Sequence, residues 1–182
     1  GILAVLDRAD ELKALRANGE PSPRPLAGKS VALIFEKAST RTRVSFEVAV
    51  FELGAHPIVL ASRDTQMGRG EPIEDTARVL SRYVHAIVFR TFEDAKLDAL
   101  ARAATVPVIN ALTDGGHPVQ ILADLQTVRE RHGQLRGLKY AWVGDGNNVA
   151  NSWIEAAHLL GLELTLAVPK GYEPSHPLAG PV

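Results

Sequence analysis

Short apolar runs at Val31–Phe35, Pro57–Leu60, Ala86–Phe89 and Val106–Ile109 alternate with longer stretches in which apolar residues return at helical spacing. The helical stretches are Thr42–Leu53, Ile73–Tyr83 and Phe92–Ala104. In the first of them Val44, Val48 and Phe51 recur at helical spacing beside Phe46 and Val50. The opening residues, Gly1 to Arg8, read as an amphipathic helix. Such alternation predicts an α/β fold, an open parallel sheet with helices on both faces. A further helix is predicted at Pro118–Arg131, with His132-Gly133 as its stop. A new unit then begins, with a strand at Lys139–Val143, a turn at Gly144-Asp145-Gly146, a helix at Val149–Leu160 and a strand at Glu163–Val168. The pattern predicts a complete first domain over residues 1–133, carrying the bridging helix 118–131, and a partial second domain over 134–182. Gly133–Gly137 is the predicted junction. The chain opens inside a helical pattern and stops in a Pro/Gly-rich segment at Pro181-Val182, so a piece of a longer protein is expected.

Composition narrows the function classes. With 46% hydrophobic and 23% charged residues, the 182-residue chain has the make-up of an ordinary globular protein. Lys+Arg 20 against Asp+Glu 21 leaves a net charge of -1, so no field draws nucleic acid or an anionic membrane. Any bound anion must be held by a local constellation. The absence of cysteine excludes a disulfide framework, a thiolate metal site and a cysteine nucleophile from this stretch. No apolar run approaches a membrane span, and the first residues lack the basic flank of a signal peptide. A cytoplasmic enzyme is expected.

Ligands of open α/β sheets bind beyond the carboxyl ends of the strands. Three polar clusters are predicted at that edge. Val31–Phe35 runs into Glu36-Lys37-Ala38-Ser39-Thr40-Arg41-Thr42-Arg43, Ala86–Phe89 into Arg90, and Val106–Ile109 through Asn110–Gly116 into His117-Pro118-Val119-Gln120. Ser39-Thr40-Arg41-Thr42-Arg43 stands where a strand gives way to a helix, whose orphan N–H groups and dipole favour an anion. The hydroxyls add donors, and Arg41 adds a planar fork matched to phosphate oxygens. A plain Ser/Thr cap with surface arginines is the competing reading. The Gly-x4-Gly-Lys spacing of a P-loop is absent. Arg43 falls about 200° around the helix from Arg41, at roughly 3.6 residues per turn, and is assigned a structural ion pair with Glu36 or Glu71. Pro118 suits the first helical position, making His117 the cap residue with Gln120 on the same open end. An imidazole can donate to a carbonyl oxygen, and a Gln amide can accept from a ligand NH2. A capping His with a solvated Gln is the competing reading there.

These residues resemble a known family. Phe35 to Arg43, with Ser45-Phe46-Glu47 and Leu53-Gly54-Ala55, is similar to the first signature of the aspartate/ornithine carbamoyltransferases. His117-Pro118-Val119-Gln120, continuing to Leu122-Ala123-Asp124-Leu125, is similar to the second. The resemblance implies that Ser39, Thr40, Arg41 and Thr42 hold the phosphate of carbamoyl phosphate, with Arg90. Thr42, Arg90 and His117 would polarise the carbonyl oxygen and stabilise the oxyanion, and Gln120 would hold the carbamoyl NH2. Arg41, Thr42, Arg90 and His117 are thus the implied catalytic set. The resemblance further implies transfer by positioning and electrostatics, without cofactor or metal, and a homotrimer.

Three segments bear on the acceptor amine. Thr65-Gln66-Met67-Gly68-Arg69-Gly70-Glu71 resembles the ornithine branch, whose Gln reaches a neighbouring subunit's carbamoyl-phosphate site. Gly144-Asp145-Gly146-Asn147-Asn148 resembles it too, with Asn148 as the implied ornithine contact, and so does Pro169 to Pro174. A dinucleotide turn at Gly144–Gly146 needs a third glycine where Val149 stands. A solvated loop at Gln66 and a helix cap at Asn148 remain open alternatives. The implied activity is carbamoyl transfer to L-ornithine in arginine biosynthesis. Alternatives are a relative acting on putrescine, N-acetylornithine or aspartate, or a non-catalytic paralogue. Family members also carry Asp-x-x-x-Ser-Met and His-Cys-Leu-Pro further on, beyond this chain, and often Cys where Val119 stands. The 182 residues alone are therefore expected to bind carbamoyl phosphate weakly and not to turn over.

Overall fold

The computed structural model describes residues 1–61 and 65–178. Pro181-Val182, where the Pro/Gly-rich ending was noted, lies outside the described residues. In chain order the elements are α1 (Ile2–Ala17), β1 (Ser30–Phe35), α2 (Thr40–Glu52), β2 (His56–Ala61), a 3-10 turn (Gln66–Arg69) and α3 (Ile73–Leu80). They continue with β3 (Ala86–Arg90), α4 (Asp94–Ala103), β4 (Val108–Leu112), α5 (Pro118–His132), β5 (Lys139–Val143), α6 (Asn148–Leu160) and β6 (Glu163–Ala167). The chain divides into two compact units, Leu15–Thr113 and a second formed by Gly1–Ala14 with the chain from Asp114 onward.

In the Leu15–Thr113 unit four parallel strands lie in the order β2-β1-β3-β4. Successive strand residues serve opposite faces. Ala32, Ile34, Ile87 and Phe89 pack with Ile73 and Ala77 of α3 and Leu100 of α4. Val31, Leu33 and Val88 pack instead with Val50 of α2 and with Ala55. Covering on both faces explains why Val31–Ile34 is continuously apolar rather than alternating. Since β2 lies to one side of β1 and β3 to the other, the strand order reverses between β1 and β3. That reversal is the position where α/β sheets open a crevice. Gly54 closes the turn from α2 to β2 at φ +95°, and a Cβ there would come within 2.9 Å of the Arg24 Cβ.

One expectation for this unit needs correction. β4 spans Val108–Leu112 rather than Val106–Ile109. Pro107 has no N–H for the ladder; its carbonyl accepts from Ile87 N–H at 2.9 Å, and strand pairing starts at Val108. Residues 110–112 therefore belong to the strand and not to the following loop, with Ala111 and Leu112 buried. In α2 the stripe Val44, Val48 and Phe51 is 51%, 37% and 67% exposed, while Phe46 and Val50 pack into the core. Two apolar faces compete on this helix, and the sheet takes only one.

In the second unit α1, α5 and α6 share a core of Leu6, Ile121, Leu125, Leu135, Ala156 and Leu160. Arg129 of α5 donates to Asp7 and Asp10 of α1, each at 2.6 Å. The two carboxylates raise the pKa of this guanidinium further, with the Asp7 hydrogen bond foremost. Gly133 ends α5 in the left-handed region at φ 74°, as its sequence position predicts. β5 and β6 form a parallel pair. α1 and α5 share that core with α6, so in the folded chain they group with the part from Asp114 onward.

Candidate functional site

β1 ends at Phe35, paired in register with Arg90, the last residue of β3. The Glu36 N–H donates to the Arg90 carbonyl at 3.0 Å. Four residues on, Ser39 caps α2, its hydroxyl accepting from the Thr42 N–H at 3.3 Å. The cap is real, and it leaves the Thr40 and Arg41 N–H groups among the orphan donors of the helix start. Arg90 then closes the gap between the two strand exits, with Nη1 donating to Thr42 Oγ1 at 3.0 Å. Arg90 Nε is buried without a hydrogen-bond partner among the described residues. Burial also lowers the pKa of this guanidinium. A desolvated cation with an unused donor gains strongly from a charge-assisted bond to an anion. Thr42, accepting from Arg90, keeps its own O–H to donate. The cluster can thus grip an anionic group and polarise an oxygen beside it.

Arg41, at the second helical position, is exposed and makes no ion pair among the described residues. Arg43 pairs with Glu47, its Nε 2.9 Å from Oε1. That replaces the expected Glu36 or Glu71. Glu47 sits one helical turn on, and such i,i+4 neighbours meet on the helix surface. Glu71 instead accepts from Thr76 at 2.6 Å. Gln66 is exposed on the 3-10 turn, whose Met67 packs on the α3/α4 side of the core. No hydrogen bond joins Gln66 to Thr42 or Arg90 among the described residues.

In the second unit His117 occupies the cap position of α5 with Pro118 in the first turn, as read from the sequence. Its side chain does not cap; the segment is held through its backbone. The His117 N–H donates to Ser152 Oγ at 2.8 Å, and Asn151 Nδ2 donates to the Gly115 carbonyl at 3.1 Å. Sequence reasoning assigned nothing to Asn151 and Ser152. Their signal was two small polar residues on the buried side of α6. Gln120 Nε2 donates to Asp124 at 2.8 Å, which fixes the amide and presents its oxygen as the acceptor. At the start of α6 the cap is Asn147, accepting from Val149 N–H and Ala150 N–H at 2.9 and 3.2 Å. Asn148 is the first residue of the helix, so the capping role falls to its neighbour. The Gly146 N–H donates to the Tyr172 carbonyl at 2.7 Å, and a Cβ on Gly146 would lie 2.2 Å from Pro174 N. Of the three segments compared with the ornithine branch, residues 144–148 and 169–174 therefore touch. Among the described residues no group of three or more His, Asp or Glu is placed to hold a metal ion.

The model of the aspartate/ornithine carbamoyltransferase carbamoyl-P binding domain matches residues 1–130, and that of the Asp/Orn binding domain matches 136–180. The chain belongs to the aspartate/ornithine carbamoyltransferase family. Among relatives in that family, the ornithine carbamoyltransferase of Parafrankia sp. is 63% identical over 171 residues, 94% of this chain and 54% of the relative. That of Geobacter sulfurreducens is 61% identical over 164 residues, 90% of this chain and 54% of the relative. The solved ornithine carbamoyltransferase of Pyrococcus furiosus superposes with a TM-score of 0.92 at 50% identity, covering 96% of this chain and 55% of that one. The chain spans about half the length of the curated relatives it matches.

Proposed function

We propose that the protein containing this chain is an ornithine carbamoyltransferase, moving the carbamoyl group of carbamoyl phosphate to the side-chain amine of L-ornithine. The observation that carries this is Arg90 bonded to Thr42 at the strand reversal, with an unused buried donor beside a helix start. In this reading Ser39, Thr40, Arg41 and Thr42 take the phosphate together with Arg90, and Gln66 serves a neighbouring subunit's phosphate. Thr42, Arg90 and His117 bind the carbonyl oxygen, and Gln120 accepts from the carbamoyl NH2. Asn148 contacts ornithine. The amine nitrogen attacks the carbonyl carbon, the C–O bond to phosphate breaks, phosphate leaves with the electron pair, and the amine loses a proton. Citrulline and phosphate result. In this reading donors at the carbonyl oxygen stabilise the charge that grows there. Residues 1–133 form the carbamoyl-phosphate domain, with 118–131 as the bridging helix, and 134–182 begin the ornithine domain.

The relatives named as ornithine carbamoyltransferases support this choice of amine. The same reading carries arginine biosynthesis, a cytoplasmic location and a homotrimer. The exposed Val44, Val48 and Phe51 stripe supports self-association, since contiguous exposed apolar surface marks interaction sites. A bisubstrate analogue joining a phosphonate to ornithine tests the function on the intact protein by titration calorimetry. It is expected to bind at least about 100-fold tighter than phosphate alone, as transition-state analogues do relative to substrates. Binding no tighter than phosphate would sink the ornithine assignment.

A further inference from the structure

Arg90 stands at an irregular point of the sheet. Phe89 pairs with Asn110 but Arg90 with Leu112, so the β3/β4 ladder skips one residue where the guanidinium must be aimed. A ladder that breaks there does not by itself fix the Arg90 side chain. The β1/β3 ladder runs unbroken through Phe35 and Arg90 and holds the Arg90 backbone, so the aim of its side chain is set by what packs beyond the strand exits.

The side chains around that exit supply the hold. The Glu36 carboxylate, 11% exposed, accepts from Thr91 Oγ1 and from Lys96 Nζ of α4. Thr91 is buried, and its N–H donates to the Leu112 carbonyl at 3.1 Å. Lys37 Nζ lies 5.1 Å from the centre of the Phe92 ring. The two residues after β1 thus grip the two residues after Arg90. The first turn of α4 also receives buried Thr113 from the exit of β4, through Asp94. Lys96 offsets the charge of Glu36, which would otherwise repel an anion bound nearby.

We propose that Glu36 is a positioning residue for Arg90: it clamps Thr91 and Lys96 so that the guanidinium meets Thr42 and the bound anion. This rests on the carbamoyl-phosphate reading of the Arg90/Thr42 cluster. In this proposal Glu36 acts through Arg90. Its carboxylate ties the exits of β1 and β3 to α4, and a misplacement of about 1 Å in a reacting constellation costs on the order of 100-fold in rate.

The test uses the intact protein with carbamoyl phosphate and ornithine, comparing Glu36→Gln, Glu36→Ala and Arg90→Ala. Glu36→Gln keeps an acceptor for Thr91 and loses the charge that holds Lys96. Its kcat is expected to fall about tenfold, and that of Glu36→Ala about 100-fold, with KM for ornithine unchanged. Rates are taken per folded molecule, with unfolding midpoints measured alongside. A role confined to stability would move the midpoint and leave kcat alone. Unchanged kcat in the folded Glu36 variants, with Arg90→Ala impaired, overturns the positioning role and leaves the site reading standing. Full activity of Arg90→Ala, or no turnover by the unsubstituted protein, overturns the site reading and the proposal with it. If Glu36→Ala does not fold, the isosteric Glu36→Gln decides.

Discussion

In the Leu15–Thr113 unit the polar residues stand at the exits of strands buried on both faces, and they meet side chain to side chain, as Arg90 meets Thr42. In the second unit the corresponding residues sit at the starts of α5 and α6. Their segments are tied down by backbone donors as well, through the His117 N–H on Ser152 and the Gly146 N–H on the Tyr172 carbonyl. The supporting strands differ as sharply. β1 carries four consecutive buried residues, whereas β5 and β6 have none. A close-packed sheet fixes side chains because every rotamer next to it is already occupied. A two-stranded pair with one open face, its other face half-buried, holds its side chains less firmly. The first region therefore holds its polar side chains in fixed places, and the second presents positioned segments.

The largest effect that separates the two regions is expected at Arg90. In the proposed mechanism Arg90 donates to the developing charge, so in Arg90→Ala kcat of the intact protein should fall about 100- to 1,000-fold, the usual loss for one oxyanion donor. Steady-state kinetics measures it directly. A change of less than tenfold would mean that the Thr42 contact is not part of the chemistry.

How far this contrast was legible in the sequence depends on which physical rule governed each residue. Lys139–Val143 was read with its observed bounds because a glycine turn and a β-rich run mark both ends. Ser39 and His117 were placed at helix starts because capping and Pro geometry are local. Arg43 was matched to the wrong carboxylate because sequence spacing alone does not rank an i,i+4 neighbour above a loop residue. β4 was displaced because Val106–Ile109 is the more apolar run, while ladder pairing, which depends on Pro107 and on the neighbouring β3, sets the bounds. The Glu36 clamp was invisible because Thr91 and Lys96 lie 55 and 60 positions away in the chain. Local rules reach the caps; tertiary contacts choose the partners.

Smaller effects probe the difference between the strands. Leu33 is completely buried between β2, β3 and the α2 side of the core. Leu33→Ala should lower stability by about 2–5 kcal/mol, the cost of a core cavity, as read from urea unfolding. A loss below about 1 kcal/mol would show that the sheet collapses around the gap and is less closely packed than described.

The smallest effect is expected at Val143, the last residue of β5, which is 80% exposed. Val143→Thr keeps the β-branch and so the strand preference, and changes only a methyl for a hydroxyl. In the 182-residue chain the unfolding free energy should stay within about 0.5 kcal/mol of that of the unsubstituted chain, as for surface positions generally. The same substitution in the intact protein asks what lies over that face. A neutral result there leaves β5 as open as it is here. A loss of about 1 kcal/mol or more would place Val143 in a covered interior, where a hydroxyl without a partner is costly. The contrast between the two units would then belong to this half of the protein, since a second sheet closed by further chain would hold its side chains as tightly as β1 and β3 hold Arg90 and Thr42.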